Sequence, residues 1–103
     1  MPDRSADSGV SLDEACAAIA ATPARLQTLR LVMNSAEVTA KDVMDALTLS
    51  RSAAGYHLAA LVEAGLIHER RATHPRGSGP VIYWAADVTA IHAVRDTLFQ
   101  HLS

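Results

Sequence analysis

Residues 49–67 read LSRSAAGYHLAALVEAGLI and carry the signals of one helix with both of its ends. Ser50 is a residue type that caps helix N-termini, and Gly65 is the type that most often follows a helix C-terminus. Between them, apolar residues recur at the i, i+4, i+7 and i+8 spacing of one helix face: Ala54, Leu58, Leu61 and Val62. The stretch therefore predicts an amphipathic helix over residues 50–64.

A shorter helix is predicted before this one and a β-hairpin after it. Thr39 is a good N-cap for a helix that stops near Leu47, and residues 48–49 remain as a turn. Residues 66–71 and 81–85 read as two strands, joined by a loop rich in glycine and proline. Two short helices joined by a turn are typical of a helix-turn-helix, whose second helix enters the major groove of DNA. The hairpin is then the wing of a winged helix.

Three further helices complete the predicted fold. Ser11 and Glu14 form a capping box for a first helix through about residue 21, on which Leu12, Ala15, Cys16 and Ile19 share a face. Thr22 caps a second helix, which has Leu26, Leu29 and Met33 at helical spacing. Asp87 opens the last helix, whose apolar side carries Val88, Ile91, Leu98, Phe99 and Leu102.

The resulting prediction is a mainly α (α+β) winged helix-turn-helix domain in the order α-α-α-α-β-β-α. It spans residues 11–103, and residues 1–10 form a flexible arm. A length of 103 residues, half of them hydrophobic, fits a single packed core. No apolar run approaches the roughly 20 residues that span a bilayer, and no apolar signal region opens the chain, so we expect a cytoplasmic protein with no membrane partner.

The charge distribution bears on the partner more than the net charge of -2 does. Residues 1–14 contain Asp3, Asp7, Asp13 and Glu14 against Arg4, whereas residues 51–76 contain Arg51, Arg70, Arg71 and Arg76 against Glu63 and Glu69. A positive second half suits contact with phosphates.

The sequence also resembles a known family. The stretch TPARLQTLRL (residues 22–31) resembles the opening of the second helix of ArsR-family repressors, and residues 49–67 resemble their recognition helix and the entry into the wing. The similarity covers residues 12–102. It implies a DNA-binding transcriptional regulator, and it places Ser50, Ser52 and His57 at or near DNA.

The candidate DNA contacts come from the recognition helix and the wing. Ser52 and Tyr56 fall opposite the apolar stripe, and Arg51 in the first turn has the reach for a guanine edge or a phosphate. Arg71 and Arg76 are the wing candidates, of which Arg76 at the loop tip is favoured. The alternatives are a solvated helix start for Arg51 and Ser52, packing for Tyr56, a packed or capping role for His57, and a strand position without DNA contact for Arg71.

No metal or other cofactor is predicted. The cysteine-containing pattern that ArsR-like metal sensors carry in the third helix is absent from residues 39–47, and Cys16 is expected to be a small buried residue. His92, Asp96 and His101 do not have the spacing of the family's second site. No catalytic motif is present, so an enzyme is not expected, and an effector is not identified.

A homodimer on a near-palindromic operator in double-stranded DNA is the predicted assembly. The apolar surface of the first and last helices exceeds what a winged core needs, and it would otherwise stand exposed. The predicted interface residues are Leu12, Cys16, Ile19, Ile91, Leu98, Phe99 and Leu102. The alternative function is a winged helix that binds proteins and not DNA, which the negative net charge and Gly55 keep open.

Overall fold

The computed structural model describes residues 11–19, 22–73 and 79–102, and it contains the elements that the sequence predicts. In chain order they are α1 (Leu12–Ile19), α2 (Pro23–Met33), α3 (Ala40–Leu47), α4 (Arg51–Glu63), β1 (Ile67–Thr73), β2 (Pro80–Ala86) and α5 (Val88–Gln100). The mainly α winged helix-turn-helix prediction is therefore confirmed. The arm predicted over residues 1–10 lies outside the described residues and stays a prediction.

Local hydrogen bonds set the start of each helix in the helix-turn-helix. The Asp42 N–H donates to the Thr39 hydroxyl at 3.2 Å, and the Thr39 N–H donates to the Asp42 carboxylate at 2.9 Å, which makes a capping box for α3. The Ala53 N–H donates to the Ser50 hydroxyl at 3.1 Å and caps α4. Thr48 lies between the two helices in the left-handed region, at φ 55°. A β-branched residue rarely adopts this conformation, and here it reverses the chain between α3 and α4.

Gly65 ends α4 and directs the chain into the core. Its φ of +78° is one that side chains other than glycine rarely adopt. The Gly65 N–H donates to the Val62 carbonyl at 2.9 Å, and the Leu66 N–H donates to the Leu61 carbonyl at 3.0 Å. These two bonds are the Schellman motif, in which an apolar contact joins the residue after the glycine to the last helical turn. Leu61 and Leu66 are both buried, so β1 leaves directly from the core.

The core lies between α4 and the helices packed around it. The predicted stripe of α4 is confirmed, because Ala54, Leu58 and Leu61 are buried and Val62 packs against the core cluster. The predicted face of α2 is partly wrong: Leu29 is buried, but Leu26 and Met33 are exposed. The residues that α2 buries with Leu29 are Thr28 and Val32.

The wing is an antiparallel hairpin in which Ile67 pairs with Ala86 at the base and Thr73 with Pro80 toward the tip. A third segment joins it, since Val38 and Trp84 exchange backbone hydrogen bonds of 2.9 and 2.8 Å. The sequence did not predict this bridge, because a single extended residue before the cap of α3 has no periodicity. The bridge fixes the base of the wing against the start of α3.

The helices α1 and α5 pack against each other, with Ala15 fully buried. On α5 the buried residues are Val94 and Thr97, and the predicted apolar side is only partly buried: Ile91 and Leu98 pack on the core, whereas Val88, Phe99 and Leu102 are exposed. The expectation of a buried Cys16 is wrong for the single chain. Cys16 is exposed, because Ala15 occupies the inward position and the next residue lies about 100° further around the helix.

Asp87 joins the wing to α5. Its N–H donates to the Leu66 carbonyl at 2.9 Å, which continues the hairpin register by one residue. Its carboxylate accepts from the Ala90 N–H at 2.9 Å and lies 2.7 Å from Nε2 of His68 on β1. The bond from Ala90 is the main reason why the pKa of Asp87 lies below its ordinary value, and the contact with His68 lowers it further. The prediction that Asp87 starts the last helix is confirmed.

Candidate nucleic-acid interface

The first turn of α4 presents an arginine and a serine to solvent. Arg51 and Ser52 are the first two residues of the helix, and both are exposed. Among the described residues, Arg51 forms no ion pair, so its guanidinium is available to a ligand. Ser50 is exposed as well, but its hydroxyl already accepts the capping bond from Ala53.

Tyr56 stands one turn further along the same exposed face. Its side chain is 65% exposed, in agreement with the predicted orientation away from the apolar stripe. The guanidinium carbon of Arg25, on α2, lies 5.3 Å from the centroid of its ring. This distance is within the range of a cation–π contact. The sequence did not predict it, because nothing in the spacing of the chain relates a residue on α2 to one on α4.

His57 does not share the exposed face. It is only 8% exposed, and its Nδ1 atom is buried without a hydrogen-bond partner in the described structure. The pKa of the imidazole lies below its ordinary value, mainly because the ring is buried and also because Arg25 places a positive charge nearby. The family pattern had placed His57 at or near DNA, whereas the position observed is that of the alternative, a packed histidine.

Arg71 lies on the face of the hairpin that is turned toward α4. Along β1 it shares this face with Glu69, because side chains alternate along a strand. Glu69 and its cross-strand partner Trp84 line a cleft of about 230 Å³ together with Gly55 and Ala59 of α4. Arg71 is exposed and, among the described residues, forms no ion pair. The structure thus brings Arg71 to the same side of the molecule as the exposed face of α4.

Arg70 has the opposite orientation and a structural role. Its Nε and Nη2 atoms donate to the two carboxylate oxygens of Glu37 at 2.9 and 2.8 Å, and its guanidinium carbon lies 4.8 Å from the ring centroid of Tyr83, its cross-strand partner. The donated bonds hold the pKa of Glu37 below its ordinary value. Arg70 therefore stabilises the wing against the segment before α3 and is not offered to a ligand.

Arg76 and the side chain of Ile19 lie outside the described residues, so their assignments stay predictions. Within the described ranges, no three histidine, cysteine, aspartate or glutamate side chains are grouped so that they could hold a metal ion. No helix in the described part of the chain is long and apolar enough to cross a membrane.

Four of the seven predicted interface residues line an apolar cleft of about 260 Å³ beside α5. Its walls include Ile91, Leu98, Phe99 and Leu102, together with Leu29 and Leu66 from the core. Phe99 is 60% exposed and Leu102 is 78% exposed. Leu12 and Cys16 are exposed on α1, which packs against α5.

Comparison with known proteins gives the same assignment for the helix-turn-helix. The family model for "Bacterial regulatory protein, arsR family" matches residues 22–69, which contain α2, α3, α4 and the start of β1. No curated protein is significantly similar to the chain in sequence.

Solved structures of transcriptional regulators share the fold. A possible transcriptional regulator for arsenical resistance is 27% identical, with a TM-score of 0.66 over 90% of this chain and 84% of that one. The homodimeric winged helix-turn-helix DNA-binding domain of Mb0332 from Mycobacterium bovis, a possible ArsR-family regulator, is 24% identical, with a TM-score of 0.63 over 100% of this chain and 92% of that one. A possible transcriptional regulator from Methanosarcina mazei Go1 is 15% identical, with a TM-score of 0.67 over 87% of this chain and 78% of that one.

The last two similarities concern the fold alone, whereas the family model rests on the sequence of the helix-turn-helix itself. The family model and the 27% identical neighbour are both described as transcriptional or regulatory proteins. From the matched helix-turn-helix and the wing that follows it, we conclude that the chain has a winged helix-turn-helix fold and that its helix-turn-helix is similar to that of ArsR-family regulatory proteins.

Proposed function

We propose that the protein is a sequence-specific transcriptional repressor that binds a near-palindromic site in double-stranded DNA as a homodimer. The observation that carries the proposal is the exposed face of α4. Arg51 and Ser52 are exposed in its first turn and Tyr56 one turn further along, with Arg71 of the wing on the same side of the molecule. An exposed helix of this kind fits the major groove, where the pattern of donors and acceptors differs for every base pair.

The division of work between helix and wing follows from their positions. Residues of α4 read base edges, so losing one should relax the sequence preference. Wing arginines reach only the flanking backbone or the minor groove, so their contribution is mostly charge. Arg71 is the described member of this group, and Arg76 is proposed as the second.

The homodimer is supported by the exposed apolar residues of α1 and α5. A monomer that leaves Phe99 and Leu102 in water beside an open apolar cleft carries a patch of the kind that marks protein interfaces. The neighbour from Mycobacterium bovis is described as homodimeric. Two-fold symmetry then requires two half-sites, about one helical turn or a multiple of it apart.

The test is a fluorescence-anisotropy titration with the duplex upstream of the protein's own gene and with a scrambled duplex, at several salt concentrations. Arg51→Ala should cost about 1–3 kcal/mol on the specific duplex and much less on the scrambled one. Arg71→Ala and Arg76→Ala should weaken both, and each should flatten the salt dependence by about one unit. Arg30→Ala, which removes an exposed arginine of α2, is the control that should change neither.

Two results would contradict the proposal. If Arg51→Ala binds the specific duplex as tightly as the wild type, α4 does not read the major groove. If the wild type binds no duplex in a salt-dependent manner, the protein-binding alternative replaces the DNA-binding function.

A further inference from the structure

The contact between Arg25 and Tyr56 connects α2 to the exposed face of α4. Arg25 is the third residue of α2, and its backbone N–H is already used in the cap, where it donates to the Thr22 hydroxyl at 3.3 Å. Its side chain extends from there to the ring of Tyr56, with the guanidinium carbon 5.3 Å from the centroid. A residue outside the recognition helix therefore touches a side chain that we assign to DNA reading.

The guanidinium lies on the ring although carboxylates are near. Glu14 and Glu63 line the same cleft as Arg25, a space of about 390 Å³ between α1, α2 and α4. Among the described residues, Arg25 nevertheless forms no ion pair with either of them, and its Nε atom is buried without a hydrogen-bond partner. Packing on the ring is thus the contact that holds the guanidinium in place.

Tyr56 is held on a second side by its neighbour in the chain. The ring of His57 meets it edge-on, with 5.4 Å between centroids and 66° between the planes. Because His57 is buried, the tyrosine ring contacts a packed imidazole at one edge and the guanidinium over one face. The remainder of the side chain is open to solvent.

We propose that Arg25 is a positioning residue, which holds the ring of Tyr56 in the orientation that α4 presents to DNA and does not itself contact the duplex. The inference rests on the proposed DNA-binding function. An exposed tyrosine that is already held in one orientation loses less freedom when it becomes buried against DNA. The contribution of Arg25 therefore passes entirely through Tyr56.

A double-mutant cycle tests this dependence. The wild type, Arg25→Met, Tyr56→Leu and the double variant are titrated with the specific and the scrambled duplex at several salt concentrations. Arg25→Met should weaken binding to the specific duplex about two- to fivefold, the range of an exposed cation–π contact, and leave the scrambled duplex and the salt dependence unchanged. In the Tyr56→Leu background it should have no effect. Arg25→Lys should recover part of the loss, and Arg30→Met on the same helix is the matched control.

A readout without DNA keeps the two proposals distinguishable. In the NMR spectrum, the δ-methylene protons of Arg25 should be shifted upfield by the Tyr56 ring current and should return to ordinary values in Tyr56→Leu. If that shift is present but the two substitutions have additive effects on affinity, Arg25 is not a positioning residue. A salt dependence flattened by about one unit in Arg25→Met identifies a direct phosphate contact instead.

Two further outcomes overturn the inference. Equal losses on both duplexes, with a lower free energy of unfolding, identify a purely structural role for Arg25. If the wild type binds no duplex at all, the proposed function fails and the inference fails with it, whatever the ring-current shift.

Discussion

His57 places an ionisable side chain on the buried side of α4. The imidazole is buried, its Nδ1 atom has no hydrogen-bond partner in the described structure, and the guanidinium of Arg25 adds positive charge nearby. Both effects disfavour the protonated ring, so the pKa lies below the ordinary value of 6.5. The folded protein therefore takes up this proton less readily than the unfolded chain does.

We expect the free energy of unfolding to fall as the pH falls below about 6.5. In that range the unfolded chain binds a proton at His57 that the folded protein does not bind, and the loss continues until the pH passes the lowered pKa. Urea unfolding of the wild type and of His57→Gln at pH 7.5, 6.5 and 5.5 measures the difference. His92→Gln, at an exposed position on α5, is the control that should keep the wild-type slope. Parallel slopes for the wild type and His57→Gln would contradict the prediction.

The residues that could be assigned from the sequence are those whose neighbours lie within a few positions. Ser52 and Tyr56 were correctly oriented because the helix period relates them to Leu58. Arg70 and Glu37 are separated by 33 positions, and their bidentate pair depends on the bridge between Val38 and Trp84. No local sequence pattern indicates that these residues meet, so only the structure shows that Arg70 holds the wing to the segment before α3.

At the scale of single elements, α4 contains a glycine in its interior. Gly55 has no left-handed backbone angle, and a β-carbon built there would meet no atom within 4 Å. Nothing in the free protein therefore requires a glycine at this position. Glycine inside a helix is nevertheless less favourable than alanine, because it loses more backbone freedom on folding.

Gly55→Ala should raise the free energy of unfolding by about 0.5–1 kcal/mol. The added methyl group enters open space beside the wing, so no clash offsets the gain. Chemical denaturation with urea measures the change. Gly65→Ala is the matched comparison and should destabilise the protein, because its φ of +78° strains any residue with a β-carbon. A destabilised Gly55→Ala would mean that the free space beside α4 is filled in solution.

The element boundaries were predictable, whereas two helix faces were predictable only in part. Caps and stops such as Thr39, Ser50 and Gly65 act locally, and each is where the sequence indicates. The buried face of α2 was predicted only in part, and both α2 and α5 bury a threonine that the apolar spacing does not indicate. Thr28 can be buried because its hydroxyl donates to the Ala24 carbonyl of its own helix at 2.8 Å. A polar residue that satisfies itself in this way interrupts the apolar period that sequence reasoning follows.

At the scale of the whole molecule, the surface of α5 is divided between the core and solvent. Val94 is buried, Ile91 and Leu98 are half-buried, and Phe99 and Leu102 are exposed around the apolar cleft. The proposed homodimer accounts for this gradient, because a second copy would cover the exposed end of α5. Burying such side chains contributes roughly 1.5–3 kcal/mol each when they leave water completely.

We expect a dimer in light scattering at micromolar concentration, and we expect Phe99→Glu to be monomeric. The carboxylate would be buried without a partner in the interface, which is far more costly than leaving it in water. Val88→Glu is the matched control, since Val88 is a similarly exposed apolar residue of α5 but does not line the cleft. A monomeric wild type, or a dimeric Phe99→Glu, would place the interface elsewhere or remove it.

Asp87 forms a rigid connection between the wing and α5. The same residue pairs with Leu66 at the base of the hairpin, lies 2.7 Å from the His68 side chain and caps α5, so no slack linker separates the two elements. We expect a rotation of α5 about this point to move the wing with it. In a two-fold dimer, the distance between the two wings would then depend on the angle at which the two α5 helices cross. A ligand that changed that angle would then alter the distance between the two wings without contacting α4.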